Sequence, residues 1–349
     1  MIHTIELCYN PDSAEISIIK NKFIANFKED EFKYYKYKEL DNSITYKYYP
    51  SHNLLKFVVN LNKLLKKDVI IAEDYYLTDI LINYNLKCLF ESYSDAYDYE
   101  YKVSRVDYKI DIITKDKEEK ELYLDLFKKT FKEYRALKQN NTYNTSIYFN
   151  SNAYNINIYD KEEESKAKHK AKDKNKDKEE EAEEIFNNYL DIYSLDNITD
   201  KNYFKETDEE KYKNLLRVEV QVKSYTINYM EKTYGLTKDL INYFNTDMYN
   251  YFIEKYLKQL NLFGGNFLSI EQSKKQLESS DYTPSMQKKL VQLQKDISMY
   301  GMSKAKEKYN STTFNNYVKK LEEYDINVIT IPRKYKKSVL ENKIYLQAK

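Results

Sequence analysis

The chain has 349 residues, 42% hydrophobic and 32% charged, with a net charge of +1. This length supports a packed core in one large or two modest domains, and the charge balance leaves any nucleic-acid surface to local asymmetry rather than a global basic excess. Four glycines (Gly235, Gly264, Gly265, Gly301) cannot assemble a phosphate loop or a dinucleotide fingerprint, and His3, His52 and His169 are too scattered for an HExxH zinc site or a His-x-His pair, which excludes an ATP-driven motor, a Rossmann enzyme and a zincin.

Cys8 and Cys88 make neither a disulfide framework nor a zinc site, so a reducing, cytoplasmic setting is expected. The start, MIHTIELCYNPDS, has no basic stretch followed by an apolar one, and no apolar run approaches membrane-spanning length, so no membrane partner is expected. Tyrosine occurs 39 times and tryptophan never. Codon usage in a genome rich in A and T accounts for most of these tyrosines, so position rather than abundance must single out a functional one.

In chain order, residues 1–60 read as short strands with turns, 69–86 as helical or mixed, and 101–113 as a strand. Leu122, Leu124, Phe127, Phe131 and Leu137 recur at helical spacing, which predicts a helix over 117–139. Residues 145–161 read as a hairpin. A charged stretch at 164–184 has almost no large apolar residue and reads as a solvated insertion. Residues 214–223 read as a strand and 236–260 as helical, and the Gly264–Gly265 pair marks a boundary. Residues 270–325 read as wholly helical, and a basic tail begins at Arg333. The expected fold class is α+β: a central antiparallel sheet with helices on one face in a domain over 1–263, and a helical C-terminal domain over 266–349.

Three separated strands alternate apolar and polar residues. In the first, Val106, Tyr108, Ile110 and Ile112 oppose Arg105, Asp107, Lys109 and Asp111; in the second, Ile156 and Ile158 oppose Asn155, Asn157, Tyr159 and Lys161; in the third, Leu216, Val218, Val220 and Val222 oppose Arg217, Glu219 and Gln221. Pairing in one sheet is expected to bury the apolar sides and gather the polar ones on an open surface. A carboxylate cluster there supplies hard oxygen ligands suited to Mg²⁺ or Mn²⁺.

These segments resemble the replication initiators of small rolling-circle plasmids of Gram-positive bacteria and the replication proteins of filamentous phages. An R-x-D strand with a second Asp four residues on matches Arg105, Asp107 and Asp111. A Y-[FL]-G-S segment leading to I-Y-[ND]-K-x-x-E matches Tyr148–Phe149–Asn150–Ser151, then Ile158–Tyr159–Asp160–Lys161 and Glu164, with Asn150 in place of the glycine. An R-x-E strand matches Arg217 and Glu219, and residues 51–62 are similar to an early S-x-x-K-x-x-x-x-x-N stretch.

The resemblance implies a degenerate nicking domain in which Tyr159 attacks one DNA strand, giving a 5′-phosphotyrosine link and a free 3′-hydroxyl primer. In that scheme Lys161 favours the phenolate, Asp107, Glu219 and then Asp111 hold the metal, Glu164 either orients Lys161 or assists the metal, and Arg105 and Arg217 either clamp phosphate or pair with neighbouring acids. Tyr148 and Tyr154 are the substitutes if the register differs. The implied partners are origin DNA, double-stranded and as extruded single strand, a host helicase and polymerase, and a second copy in a homodimer. Residues 295–326 read as helix, turn, helix, with Ser311 capping a helix that carries Phe314, Tyr317 and Leu321 on one side and Asn315, Asn316, Lys319 and Lys320 on the others, a candidate for reading DNA. Three other readings are a relaxase or single-strand transposase, against which the missing His-x-His pair argues, a DNA-binding regulator that does not cut, and a structural or interaction protein in which the motifs are accidental.

Overall fold

A computed structural model describes residues 1–27, 33–38, 43–92, 98–130, 133–134, 137–140, 145–169 and 208–344. The protein is α+β, with a large antiparallel sheet, accompanying helices and further helices toward the C-terminus. Its contacts divide it into two compact units that interleave along the sequence: residues 1–109, 167–211 and 221–249 form the first, and 110–166, 212–220 and 250–349 the second. The segment 266–349 thus groups with residues 110–166 and 212–220 rather than standing alone.

In the first unit β2 (Ile24–Phe27), β3 (Lys33–Lys38), β4 (Ile44–Tyr49), β5 (Leu54–Asn60), β1 (Ile2–Tyr9) and β6 (Lys102–Ile113, to Lys109 in this unit) lie side by side in that order. All these pairings are antiparallel, with Ile5 opposite Val59 on one side and Val106 on the other. Alternation decides the inward face: Ile44, Tyr46 and Tyr48 of β4 are buried while Thr45, Lys47 and Tyr49 are less so, and β5 buries Leu55, Phe57 and Val59. Each large apolar side chain so removed from water contributes roughly 1.5–3 kcal/mol.

The accompanying helices are α1 (Ser13–Lys22), α2 (Leu61–Leu65), α3 (Tyr75–Phe90), α7 (Ser224–Tyr234) and α8 (Leu240–Tyr243). A capping box starts α1: Asp12 accepts from the Glu15 N–H at 2.9 Å and Glu15 accepts from the Asp12 N–H at 2.8 Å.

In the second unit the end of β6 and most of β11 (Leu215–Val222) precede β10 (Tyr154–Asp160), β9 (Ser146–Asn150), β8 (Leu137–Asn140) and β7 (Glu133–Tyr134). The hairpin expected over 145–161 is β9 and β10, paired with Tyr159 opposite Ser146 and Asn157 opposite Tyr148. Its turn is tied by Ser151, whose hydroxyl donates to the Tyr154 carbonyl at 2.7 Å. Asn150 does not have a positive φ, so nothing at that position requires the glycine of the family pattern.

The helix expected over 117–139 stops early, as α4 (Lys117–Phe127), and strands β7 and β8 follow. Tertiary bonds end it: the Lys129 carbonyl accepts from the Met302 N–H, and Lys129 Nζ donates to the Ser298 carbonyl. Of the charged stretch 164–184, residues to His169 belong to α5 (Lys161–His169), and the rest lies outside the described residues. A short α6 (Asp208–Lys211) precedes β11, in the first unit.

The remaining helices of the second unit are α9 (Thr246–Gln259, from Asn250 in this unit), α10 (Ile270–Glu278), α11 (Pro284–Tyr300), α12 (Met302–Glu307) and α13 (Ser311–Glu322), with a small ribbon of β12 (Phe267–Leu268) and β13 (Val339–Leu340). The α13 cap is Asn310, not Ser311: its side chain accepts from the Thr313 N–H at 2.7 Å, which leaves Ser311 as the first helical residue. Gly265 sits at φ +36° against the Ile326 backbone, 2.5 Å from where a β-carbon would stand. Asn342 donates to the carbonyls of Leu262, Gly264 and Gly265 across the same turn. No described helix is long and apolar enough to cross a membrane.

Candidate functional site

The polar face of β6 and β11 is not the open surface expected from alternation. Asp107 (4% exposed), Lys109 (7%), Arg217 (3%) and Glu219 (7%) are all buried. Charge that leaves water must be paired, and each of these strands carries groups that pair.

In the first unit Arg105 Nε donates to Asp107 at 3.0 Å and the guanidinium lies 3.7 Å from Glu6. Gln221 donates to the other Asp107 oxygen at 3.2 Å. Lys109 Nζ donates to the Asp68 carbonyl at 3.3 Å.

In the second unit Arg217 grips Asp111 in a two-pronged bond, Nε at 2.6 Å and Nη2 at 2.9 Å. Burial works against the Arg217 charge, but the Asp111 carboxylate overrides it and holds the guanidinium firmly protonated. On β10 the Tyr159 hydroxyl donates to Glu219 Oε1 at 2.6 Å. Burial raises the Tyr159 pKa well above its usual 10, the Glu219 carboxylate raises it further, and the opposing pull comes from Arg217. The resting phenol is therefore neutral, held by its proton to a carboxylate.

Lys161, expected to act on Tyr159, is placed otherwise. It opens α5, donates to Glu164 at 2.7 Å, and lies over the Tyr212 ring at 4.9 Å. The cation that favours the Tyr159 phenolate is Arg217. Tyr212 gave no sequence signal, since about 50 residues separate it from Lys161.

Tyr148 shares the Tyr159 face of the hairpin, two rungs away. Tyr154 is committed to packing, its ring stacked on Tyr256 at 3.9 Å and its hydroxyl bonded to Gln259 at 2.6 Å. Beside the hairpin end, Lys120 of α4 binds Asp160 at 2.8 Å and Glu162 at 3.0 Å, and Glu162 also takes Lys166 at 2.8 Å and the Asn214 N–H at 3.1 Å. This network was not expected from the sequence.

The three carboxylates expected to share a metal, Asp107, Asp111 and Glu219, each bind partners of their own. Among the described residues no three His, Cys, Asp or Glu side chains gather in a way that holds a metal ion. On α13, Asn315, Asn316 and Lys319 are exposed, and Lys320 lies over the Tyr282 ring at 4.6 Å.

Fold and site together define an α+β protein whose antiparallel sheet sets an acid-bound tyrosine beside a buried arginine–carboxylate pair. The family model Phage_CRI, described as the N-terminal region of a replication-associated protein, matches residues 44–244, more than half of the chain. The chain belongs to that family, the phage proteins that initiate rolling-circle replication. The match runs from β4 past α8 and takes in all the strand motifs. A search of curated proteins finds no match.

Proposed function

We propose that the protein nicks one strand of its origin DNA with Tyr159 and rejoins it by the reverse reaction. The observation that carries this reading is the 2.6 Å bond from the Tyr159 hydroxyl to Glu219. A phenol is a weak nucleophile while it keeps its proton. As its oxygen bonds to the scissile phosphorus, its acidity rises steeply, and a carboxylate already in place takes the proton. Glu219 is that base, and the Arg217 charge stabilises the oxygen as it loses hydrogen.

The atoms balance without water or ATP. The Tyr159 Oη–P bond forms and the P–O3′ bond breaks. The proton passes from Tyr159 through Glu219 to the departing 3′-oxygen. The products are a 5′-phosphotyrosine link and a 3′-hydroxyl that primes a host polymerase, with a host helicase opening the duplex. The same pair run backward restores Tyr159 and closes the strand. Glu164 keeps Lys161 in place, and Asp107 and Arg105 hold β6. The reading includes action as a homodimer in the cytoplasm, entry of the origin as duplex or extruded single strand, and base reading by α13. No step is routed through a metal, and a Mg²⁺ or Mn²⁺ requirement is a separate arm of the test.

Supercoiled DNA carrying the origin is incubated with the protein in Mn²⁺ or EDTA, beside Tyr159→Phe. Open circles and a covalent protein–DNA band that vanish in the variant support the reading. Nicking that survives in Tyr159→Phe moves the nucleophile to Tyr148, which shares the face. Binding without nicking in every condition overturns the enzyme in favour of a regulator.

A further inference from the structure

The basic tail that begins at Arg333 folds, over residues 333–338, as one wall of a cavity of about 760 Å³ in the second unit. The start of α10, at Ser269–Glu271, and the end of α11, with Lys295, Ser298 and Met299, form the other walls. Four cations line it (Lys295, Arg333, Lys336 and Lys337) against one acid, Glu271. In a chain with net charge +1 this is a marked local excess.

Two of these cations are already engaged. Lys337 binds Glu119 at 2.6 Å, and Arg333 lies 3.9 Å from Glu271 with both side chains well exposed. Lys295 and Lys336 are exposed, and among the described residues neither is joined to a carboxylate. Like charges gathered in a concavity repel one another, and an anion that fills it relieves that repulsion. Met299, 69% exposed at the rim, adds an apolar contact beside the charges.

We propose that this cavity holds the phosphate backbone of a single DNA strand, an inference that rests on the replication reading above. A run of phosphates matches the cluster of lysines and an arginine by charge, and Ser298 and Ser338 line the same cavity. Proteins that bind single strands hold the backbone in a positively charged groove, and this cation-lined concavity offers that kind of surface. The cavity shares no residue with the Tyr159 site or with the exposed face of α13.

The test measures binding of the full chain to a single-stranded oligonucleotide in EDTA, where binding is read without cutting, across a range of salt concentrations. Lys295→Gln with Lys336→Gln is expected to flatten the slope of log K against log salt by about 1.4, since each phosphate contact to a single strand contributes about 0.7. Lys288→Gln with Lys289→Gln, on α11 outside the cavity, removes the same charge and is expected to leave the slope of the unsubstituted chain. All four side chains are exposed, so melting temperatures are expected to match. An unchanged slope in the cavity variant, an equal fall in the control, or a fall seen on duplex alone overturns the proposal. The covalent band on origin DNA is scored separately: its absence overturns the tyrosine mechanism and leaves the slopes to decide the cavity.

Discussion

The Tyr159–Glu219 bond gives one carboxylate two duties in the proposed reaction. At rest it keeps the phenol protonated; in the proposed attack it accepts the proton. Glu219→Gln keeps an oxygen for the hydroxyl but removes the base, so nicking rates are expected to fall by about 10²–10⁴-fold while origin affinity stays the same. A loss of affinity with an unchanged rate would assign Glu219 to DNA contact instead. The neighbouring pair makes a stability prediction. Arg217 is buried and bound by Asp111 through both prongs, so Asp111→Ala takes the main counter-charge from a buried guanidinium and is expected to cost about 3–5 kcal/mol in urea unfolding. A cost under about 1 kcal/mol would mean that water reaches the guanidinium as well as the carboxylate does.

Tyr159, Glu219 and Arg217 were legible in the sequence as residues of alternating strands, and the structure brings them together. What alternation could not reveal was burial. A strand face reading Arg-x-Glu-x-Gln looks the same whether it meets water or a complementary set of charges, and only the partner strands decide. Lys161 was misplaced for a related reason: Tyr159 and Lys161 are two residues apart, but β10 ends at Asp160 and α5 begins at Lys161, so the shared face is lost.

At the scale of elements, the junction of β10 and α5 is held by Lys120, Asp160, Glu162 and Lys166. The Lys166 bond first, then Lys120 and the Asn214 N–H, bring the Glu162 carboxyl down from 4.5 to about 2. A carboxyl whose folded pKa is depressed adds stability that is present above the unfolded value and lost as the pH falls through the folded one. Unfolding followed from pH 6 to 2 is therefore expected to show weakening between about 4.5 and 2, and Glu162→Gln to flatten that limb. An unchanged acid limb would show that the junction does not contribute.

Helix α4 shows where periodicity ran out. Its apolar spacing continues to Leu137, but the helix ends at Phe127, where residues 298–302 claim the backbone and side chain of Lys129. No local pattern records a partner about 170 residues away. The hairpin, β6, β11 and the C-terminal helices were legible because each has its own caps, turns and spacing.

For the whole molecule, the many tyrosines that mask any functional one in the composition set a common limit at high pH. Burial raises Tyr243 and Tyr335 to about 12, and raises Tyr108 and Tyr159 further still. An unfolded tyrosine ionises near 10. The proton is held more tightly in the fold, so this stability is complete below pH 10 and is lost as the pH climbs through 12. The urea midpoint is expected to hold level from pH 7 to 9 and to drop steeply from 10 to 12; a level midpoint throughout would mean that these phenols reach solvent.

The interleaving of the two units also dictates when the protein becomes complete during its own synthesis. The unit that carries Tyr159 and Glu219 draws on residues 110–166, 212–220 and 250–349, and Asn342 stitches across the turn at Leu262–Gly265. Domains fold as units while the chain emerges from the ribosome. Here Tyr159 and Glu219 emerge before residues 250–349, on which their unit also draws. A nascent chain that has emerged only to Val220 therefore holds both residues but not the rest of the unit that surrounds them.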